Sequence, residues 1–224
     1  MATPQKRCYT ELMKKVTRIS LLAITMTAAV GIIVSVQYFN RVPVRATPSG
    51  PTIVSPASGR IIHIETVSGK EISFFKKEIE NTLTINDIPP PYTLVVIELS
   101  LEDVHVQRAP IEGKITYQEH FEGAHKNALS SPNVKKLANM NEKNIIVIKN
   151  DDLSVGVIQV AGIAARRIQS FVDTGEFLDK GQVYGRILLG SQVVLIIPDT
   201  ATLLVQTEDE LIDGETVIAE YAKK

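Results

Sequence analysis

The chain is 224 residues long, and its 24 basic and 25 acidic residues nearly cancel. That length allows one domain, or one domain with an appendage, and the charge balance leaves no electrostatic footprint for nucleic acid. Tryptophan is absent and the single Cys8 excludes both an internal disulfide framework and a multi-cysteine metal site, while the abundance of Val and Ile favours a β-rich core.

Residues 1–18 form a basic N-terminal tail with Lys6, Arg7, Lys14, Lys15 and Arg18. Residues 19–40 then carry no charge, and a run of this length meets the roughly 20 apolar residues that a transmembrane helix needs. The competing reading is a secretory signal. The run is longer than a typical signal core and no small-x-small cleavage site clearly follows it, so a retained single-pass anchor in the cell membrane is expected. Tyr38 and Phe39, then Arg41 and Arg45, suit an interfacial exit. Five basic residues before the helix against two after it place the N-terminus in the cytoplasm and the main domain across the membrane.

Residues 41–52 read as a Pro/Gly linker and the domain proper as 53–224. Its first unit, 53–64, is strand, small-residue turn, strand. The stiff loop 87–92 leads into the buried-strand signal 93–99, and 109–117 repeats the Pro-x-x-Gly-x-Ile pattern of the first unit. Residues 120–143 are polar and irregular, as in a surface loop. Two apolar runs, 145–148 and 155–160, predict a hairpin across 149–152, and 202–205 with 215–220 predict a closing strand pair. Many short strands with glycine turns indicate a mainly β fold, a small barrel or sandwich with lipoyl-like half-barrel units and few helices.

The longest β-branched run, 181–198, is interrupted only by Gly190-Ser191. It predicts two strand segments hinged at a small-residue pair. An ordinary bulge or turn explains most such pairs. A serine held in a strained turn can also attack the carbonyl before it, which is how self-cleaving peptide bonds begin.

Several separated stretches bear on this choice. They are Ser55-Pro56-Ala57-Ser58-Gly59-Arg60, Asp103-Val104-His105-Val106-Gln107-Arg108-Ala109-Pro110, Asn141-Glu142-Lys143-Asn144, the run from Gln159 to Ile168 (QVAGIAARRI), and Leu189-Gly190-Ser191. Together, and in this order, they resemble the motifs of the phosphatidylserine decarboxylases of the short prokaryotic type. Tyr38-Phe39-Asn40-Arg41-Val42-Pro43 is similar to the segment that follows that family's membrane span, so the resemblance covers about residues 38–220.

The resemblance implies a proenzyme. Ser191 Oγ would attack the Gly190 carbonyl, and elimination would release a β chain 1–190 and an α chain 191–224. The α chain would begin with a pyruvoyl group derived from Ser191. That covalent cofactor would take the amine of phosphatidylserine as a Schiff base and act as the electron sink for loss of carbon dioxide, giving phosphatidylethanolamine. The partners implied are phosphatidylserine and membrane lipid, with the α and β chains held together; a homo-oligomer is compatible with the sequence. The family's substrate is made on the cytoplasmic side, opposite to what the basic residues around the helix indicate.

His105 is the second catalytic candidate, to position the substrate carboxylate or return a proton, since imidazole titrates near neutrality. On spacing alone it reads as a hydrogen-bonded histidine at a strand end, and the family pattern tips it to function. Arg108, Arg166 and Arg167 are candidates for the lipid phosphate, which guanidinium pairs bidentately; the alternative for the arginine pair is a solvated face. His63, His120 and His125 look incidental, and no His/Asp/Glu spacing supports a metal site.

Three departures surround the chemistry. The family carries Asp where this chain has Ser58, and that Asp assists self-processing by supporting a base. Serine supplies no negative charge, so processing is expected to be slow, to use another carboxylate such as Asp103, or to be lost. Gln107 replaces the usual Asn, and Gln192-Val193-Val194 replaces the usual Arg-Val-Asp. Two alternatives therefore stand beside the decarboxylase: a degenerate, unprocessed homologue, and a non-enzymatic membrane-anchored lipoyl-like β-module of the adaptor type. For the latter, 57–61 and 173–182 fit the Gly-x-Ile and Gly-x-x-Leu-x-x-Gly-Gln pattern, but no long helical hairpin with heptads joins the two halves.

Overall fold

The computed structural model describes residues 4–69, 71–76, 79–84, 87–122, 141–161, 168–188 and 192–223. The chain divides into two units, Met1–Arg41 and Val42–Lys224.

The first unit is one helix, α1 (Pro4–Phe39), which runs without a break from the basic tail into the apolar run. Its stretch Thr17–Phe39 is long and apolar enough to cross a membrane. Within it Thr25, Thr27 and Ser35 donate their hydroxyls to carbonyls three or four residues back. At the exit the Asn40 amide donates to the Val36 carbonyl, and the Arg41 guanidinium lies 3.9 Å from the centre of the Tyr38 ring.

The second unit is mainly β. Its strands are β1 (Thr52–Val54), β2 (Gly59–Val67), β3 (Glu71–Lys76), β4 (Ile79–Thr84), β5 (Tyr92–Glu98), β6 (Val106–Arg108), β7 (Gly113–Phe121) and β8 (Lys143–Lys149). They continue with β9 (Ser154–Val160), β10 (Ile168–Ser170), β11 (Phe177–Leu178), β12 (Val183–Ile187), β13 (Gln192–Pro198), β14 (Ala201–Leu203), β15 (Glu210–Leu211) and β16 (Val217–Tyr221). An eight-stranded sheet runs β11-β7-β8-β9-β13-β5-β2-β15, and three-stranded sheets β1-β16-β14 and β10-β12-β6 accompany it. The β8–β9 hairpin and the β14–β16 pair fall where the sequence pattern predicts them. The hairpin β3–β4 is an element that the pattern did not reveal.

The register exposes an internal repeat. β1, β2 and β5 answer to β6, β7 and β8, and β13 to β16 answer to β9 to β12. Val54 donates to the Pro110 carbonyl and Arg108 donates to the Pro56 carbonyl, each at 2.9 Å, so the two turn-bearing segments lie antiparallel along one another. Glu208 N–H reaches the Ile61 carbonyl as Gly175 N–H reaches that of Ile115, and Gly214 N–H reaches Ser55 as Gly181 N–H reaches Ala109. Both β2 and β7 shift register just after their first isoleucine, between Ile61 and His63 and between Ile115 and Tyr117. The turn glycine is forced in each copy. A Cβ on Gly59 (φ +143°) would stand 2.2 Å from the Glu98 carbonyl oxygen, and one on Gly113 would stand 2.5 Å from that of Lys149.

One half is thus assembled from both ends of the domain and the other from its middle, with β13 and β9 paired where they meet. Alternate residues of these strands fill two cores. One holds Ile61, Val95, Ile97, Ile146, Val157, Val193 and Leu195, and the other holds Leu94, Val96, Ile145, Ile158, Val194 and Ile196. Residues 42–51, which fall within the linker expected over 41–52, lie against this unit. Arg108 Nη2 donates to the Pro43 carbonyl, Arg45 bonds Asp213, and Lys180 Nζ donates to the Gly50 carbonyl.

Candidate active site

Two connections pass from one half of the repeat to the other. The first, between β5 and β6, carries Asp103 and His105. The second, between β12 and β13, carries residues 188–191. The described residues that flank them come together at one end of the large sheet. Gln192, which heads β13, is paired on one side with Glu98 at the end of β5 and on the other with Val160 at the end of β9. Ile187, the last residue of β12, donates its N–H to the His105 carbonyl at 3.0 Å. Leu189, Gly190 and Ser191 themselves lie outside the described residues, as do Arg166, Arg167 and His125.

His105 is buried, 2% exposed. Its Nδ1 lies 2.9 Å from the main-chain carbonyl oxygen of Asp103. A carbonyl can only accept, so Nδ1 carries the proton, and Nε2 is the basic nitrogen of the neutral ring. The Asp103 carboxylate does not approach the imidazole by this route. It accepts the Ser100 N–H at 2.6 Å and closes the turn 100–103. Asp103 therefore serves His105 through its backbone.

Beneath His105 runs a chain of buried amides. Gln107 Nε2 donates to the His105 carbonyl (3.0 Å), Gln159 Nε2 donates to Gln107 Oε1 (2.7 Å), and Asn144 Nδ2 donates to Gln159 Oε1 (2.8 Å). Three of the motif stretches are thereby tied into one network, which fixes β6, β8 and β9 around the histidine. Glu142 extends it. Its carbonyl accepts the Ala161 N–H and its carboxylate accepts the Ile168 N–H, each at 2.9 Å, so both ends of 162–167 are held by one residue. Lys143, the next residue, is buried, and burial lowers its pKa.

Ser58 and Arg108 are brought together by a residue that the motif reading did not single out. Ser58 Oγ donates to Asp213 Oδ1 at 2.5 Å, and the Asp213 N–H donates back to Ser58 Oγ at 3.1 Å. Arg108 Nε meets Asp213 Oδ2 at 2.7 Å, and Arg45 Nη2 meets Oδ1 at 2.5 Å. The other Arg108 nitrogens donate to the Gly181 and Pro43 carbonyls. All three guanidinium nitrogens of Arg108 are therefore engaged inside the protein, which is a different employment from the phosphate contact expected of it. Asp213 was missed because an Asp-Gly pair in a turn is unremarkable by itself. The signal lay in the repeat, where Asp213-Gly214 answers to Lys180-Gly181.

With this geometry the chain can be set beside known proteins. A family model described as phosphatidylserine decarboxylase matches residues 34–219. A protein of Methanothermobacter thermautotrophicus, provisionally named an archaetidylserine decarboxylase proenzyme, is 39% identical over 194 residues, which are 85% of this chain and 82% of that relative. The phosphatidylserine decarboxylase proenzyme of Carboxydothermus hydrogenoformans is 37% identical over 82% of this chain and 78% of its own. That of Chlorobium phaeobacteroides is 34% identical over 90% of this chain and 86% of its own.

Proposed function

The chain belongs to the phosphatidylserine decarboxylase family, and we propose that it is a self-processing proenzyme whose mature form removes the carboxyl group from a serine phospholipid headgroup. The observation that carries this reading is the meeting of two crossovers, with the His105 carbonyl bonded to Ile187 and Gln192 heading a central strand. The internal repeat alone, which we read as two lipoyl-like half-barrels, would suit a non-enzymatic β-module equally well. What separates the two readings is the histidine at the junction.

His105 Nε2 takes the proton of Ser191 Oγ, which bonds to the Gly190 carbonyl carbon. The C–N bond breaks, the amine is protonated, and an ester remains. Loss of the Ser191 Cα proton expels the Gly190 carboxylate and leaves dehydroalanine. Addition of water and departure of ammonia give a pyruvoyl group at the head of 191–224. The described flanks fit such a group, since the next residue, Gln192, is buried (2% exposed) and paired on both sides. When present, the pyruvoyl carbonyl supplies the electron sink for loss of carbon dioxide. His105 then returns a proton from Nε2, the nitrogen not held by Asp103. Arg166 and Arg167 are assigned to the headgroup phosphate, with Glu142 holding the two ends of their segment. The relatives' names include both archaetidylserine and phosphatidylserine. These lipids share the phosphoserine headgroup, and that is the substrate feature proposed here. The helix α1 anchors the enzyme to the membrane that contains this lipid.

Intact mass of the purified protein beside Ser191→Ala is the test. Two pieces from the native chain, split after Gly190, and one 24.6 kDa chain from the variant are expected. A native chain that stays whole would leave the unprocessed homologue as the better reading.

A further inference from the structure

The family reading leaves a vacancy at position 58, where a serine stands in place of the aspartate that supports the processing base. We propose that Asp213 fills it: the carboxylate has moved from the turn before β2 to the loop after β15, and Ser58 and Arg108 hold it there as a positioning residue for self-processing. This rests on the proenzyme reading above and deepens it.

Four observations converge. Asp213 is the only buried carboxylate among the described residues, fully enclosed at 0% exposure. Ser58 both donates to its carboxylate and accepts from its N–H, so position 58 and position 213 form one closed pair. The carboxylate is bound to Arg108, three residues from His105, and the 54–58 segment runs along the strand that begins beside that histidine, through Arg108 N–H and the Pro56 carbonyl. The repeat supplies the fourth. Turn residue 112 and loop residue 180 are the counterparts of 58 and 213, and there the turn bears the acid, Glu112, and the loop the cation, Lys180, whose pKa burial lowers while the charge of Glu112 opposes that shift. The fold thus sets turn and loop positions against each other in both halves. In the half that serves the site, the acid sits on the loop.

The physical role follows from the charges. Arg108 ends β6, three residues along the chain from His105, Arg45 comes from the segment before β1, and Asp213 is the carboxylate that both guanidinium groups meet. Without it two guanidinium charges would stand uncompensated in the same unit as the imidazole, a field that lowers its basicity. With it, β6 is held in place and the imidazolium formed during attack is tolerated.

The test is a time course of self-processing at several pH values, read by intact mass, for the native chain, Asp213→Asn and the exchange Ser58→Asp/Asp213→Ser, each checked for a cooperative melt. The native chain cleaves, and its rate rises with pH as His105 loses its proton. Asp213→Asn is expected to cleave about a hundredfold more slowly, with the midpoint of the pH profile moved to lower pH. The exchange, which returns the carboxylate to the turn, is expected to recover most of the rate. A purely structural Asp213 would lower the rate without moving the midpoint, and that result overturns the proposal, as does an Asp213→Asn chain that keeps pace with the native one. If Asp213→Asn does not fold, the exchange decides: folded and uncleaved, it overturns the proposal. A native chain that never cleaves overturns the proenzyme reading, and the proposal with it.

Discussion

At the scale of the residue, the buried polar atoms separate those the fold uses from those it merely encloses. The amides of Gln107, Gln159 and Asn144 pass hydrogen bonds from β8 to the His105 carbonyl, and each would leave a buried partner stranded if removed. Tyr184 is the contrary case. It is fully buried, its hydroxyl meets no hydrogen-bond partner among the described residues, and burial pushes its pKa up. Tyr184→Phe removes an unsatisfied oxygen while keeping the ring, so stability should stay level or rise by about 1 kcal/mol. The sign of its pH dependence is fixed as well. Above the unfolded value of 10.0 the unfolded state releases the phenolic proton while the folded state keeps it, so the native chain loses stability as pH rises past that point. Denaturant unfolding of both chains at pH 8 and pH 11 checks this, and the phenylalanine variant should show the shallower fall.

At the scale of the element, the site is made by connections rather than by strands. Glu142 is the clearest instance, because one residue accepts the N–H groups on either side of 162–167. Glu142→Ala keeps the main-chain bond to Ala161 and loses the one to Ile168. If the segment serves the lipid headgroup, the variant should self-process normally and show a KM for phosphoserine lipid raised about tenfold, with kcat less affected. Steady-state kinetics on mixed micelles, with intact mass as the processing control, would separate the two effects. The strands were legible beforehand because alternation and β-branched runs are local properties, as in β8, β9 and β13. The β3–β4 hairpin was not, since the sequence from Glu71 to Thr84 mixes charged and apolar residues without a clean period. The motifs gave His105, but its tautomer depends on a main-chain carbonyl two residues away, and no side-chain pattern encodes that. Asp213 depends on a contact between residues 155 positions apart. Only the comparison of one half of the repeat with the other would have drawn attention to it.

At the scale of the whole molecule, the interleaving of the halves decides what each terminal segment does. β13 is paired over seven residues with β5 and over five with β9, so a break at 190 would leave the C-terminal piece held as a central strand rather than released. The stretch 42–51 is bound to the same unit, and through Arg45 and the Pro43 carbonyl it closes the Asp213 cluster from outside. Two truncations therefore part company. A chain beginning at residue 42 loses α1, which forms its own unit, and keeps the strap. It should no longer sediment with vesicles, yet melt and self-process as the full chain does. A chain beginning at residue 52 also loses Arg45, and Asp213, still held by Arg108 and Ser58, gives up one charged hydrogen bond, which costs about 1–3 kcal/mol. It should melt at lower temperature and process more slowly. Equal melting temperatures for the two truncations would mean that the strap contributes nothing and that residues 42–51 are a tether after all.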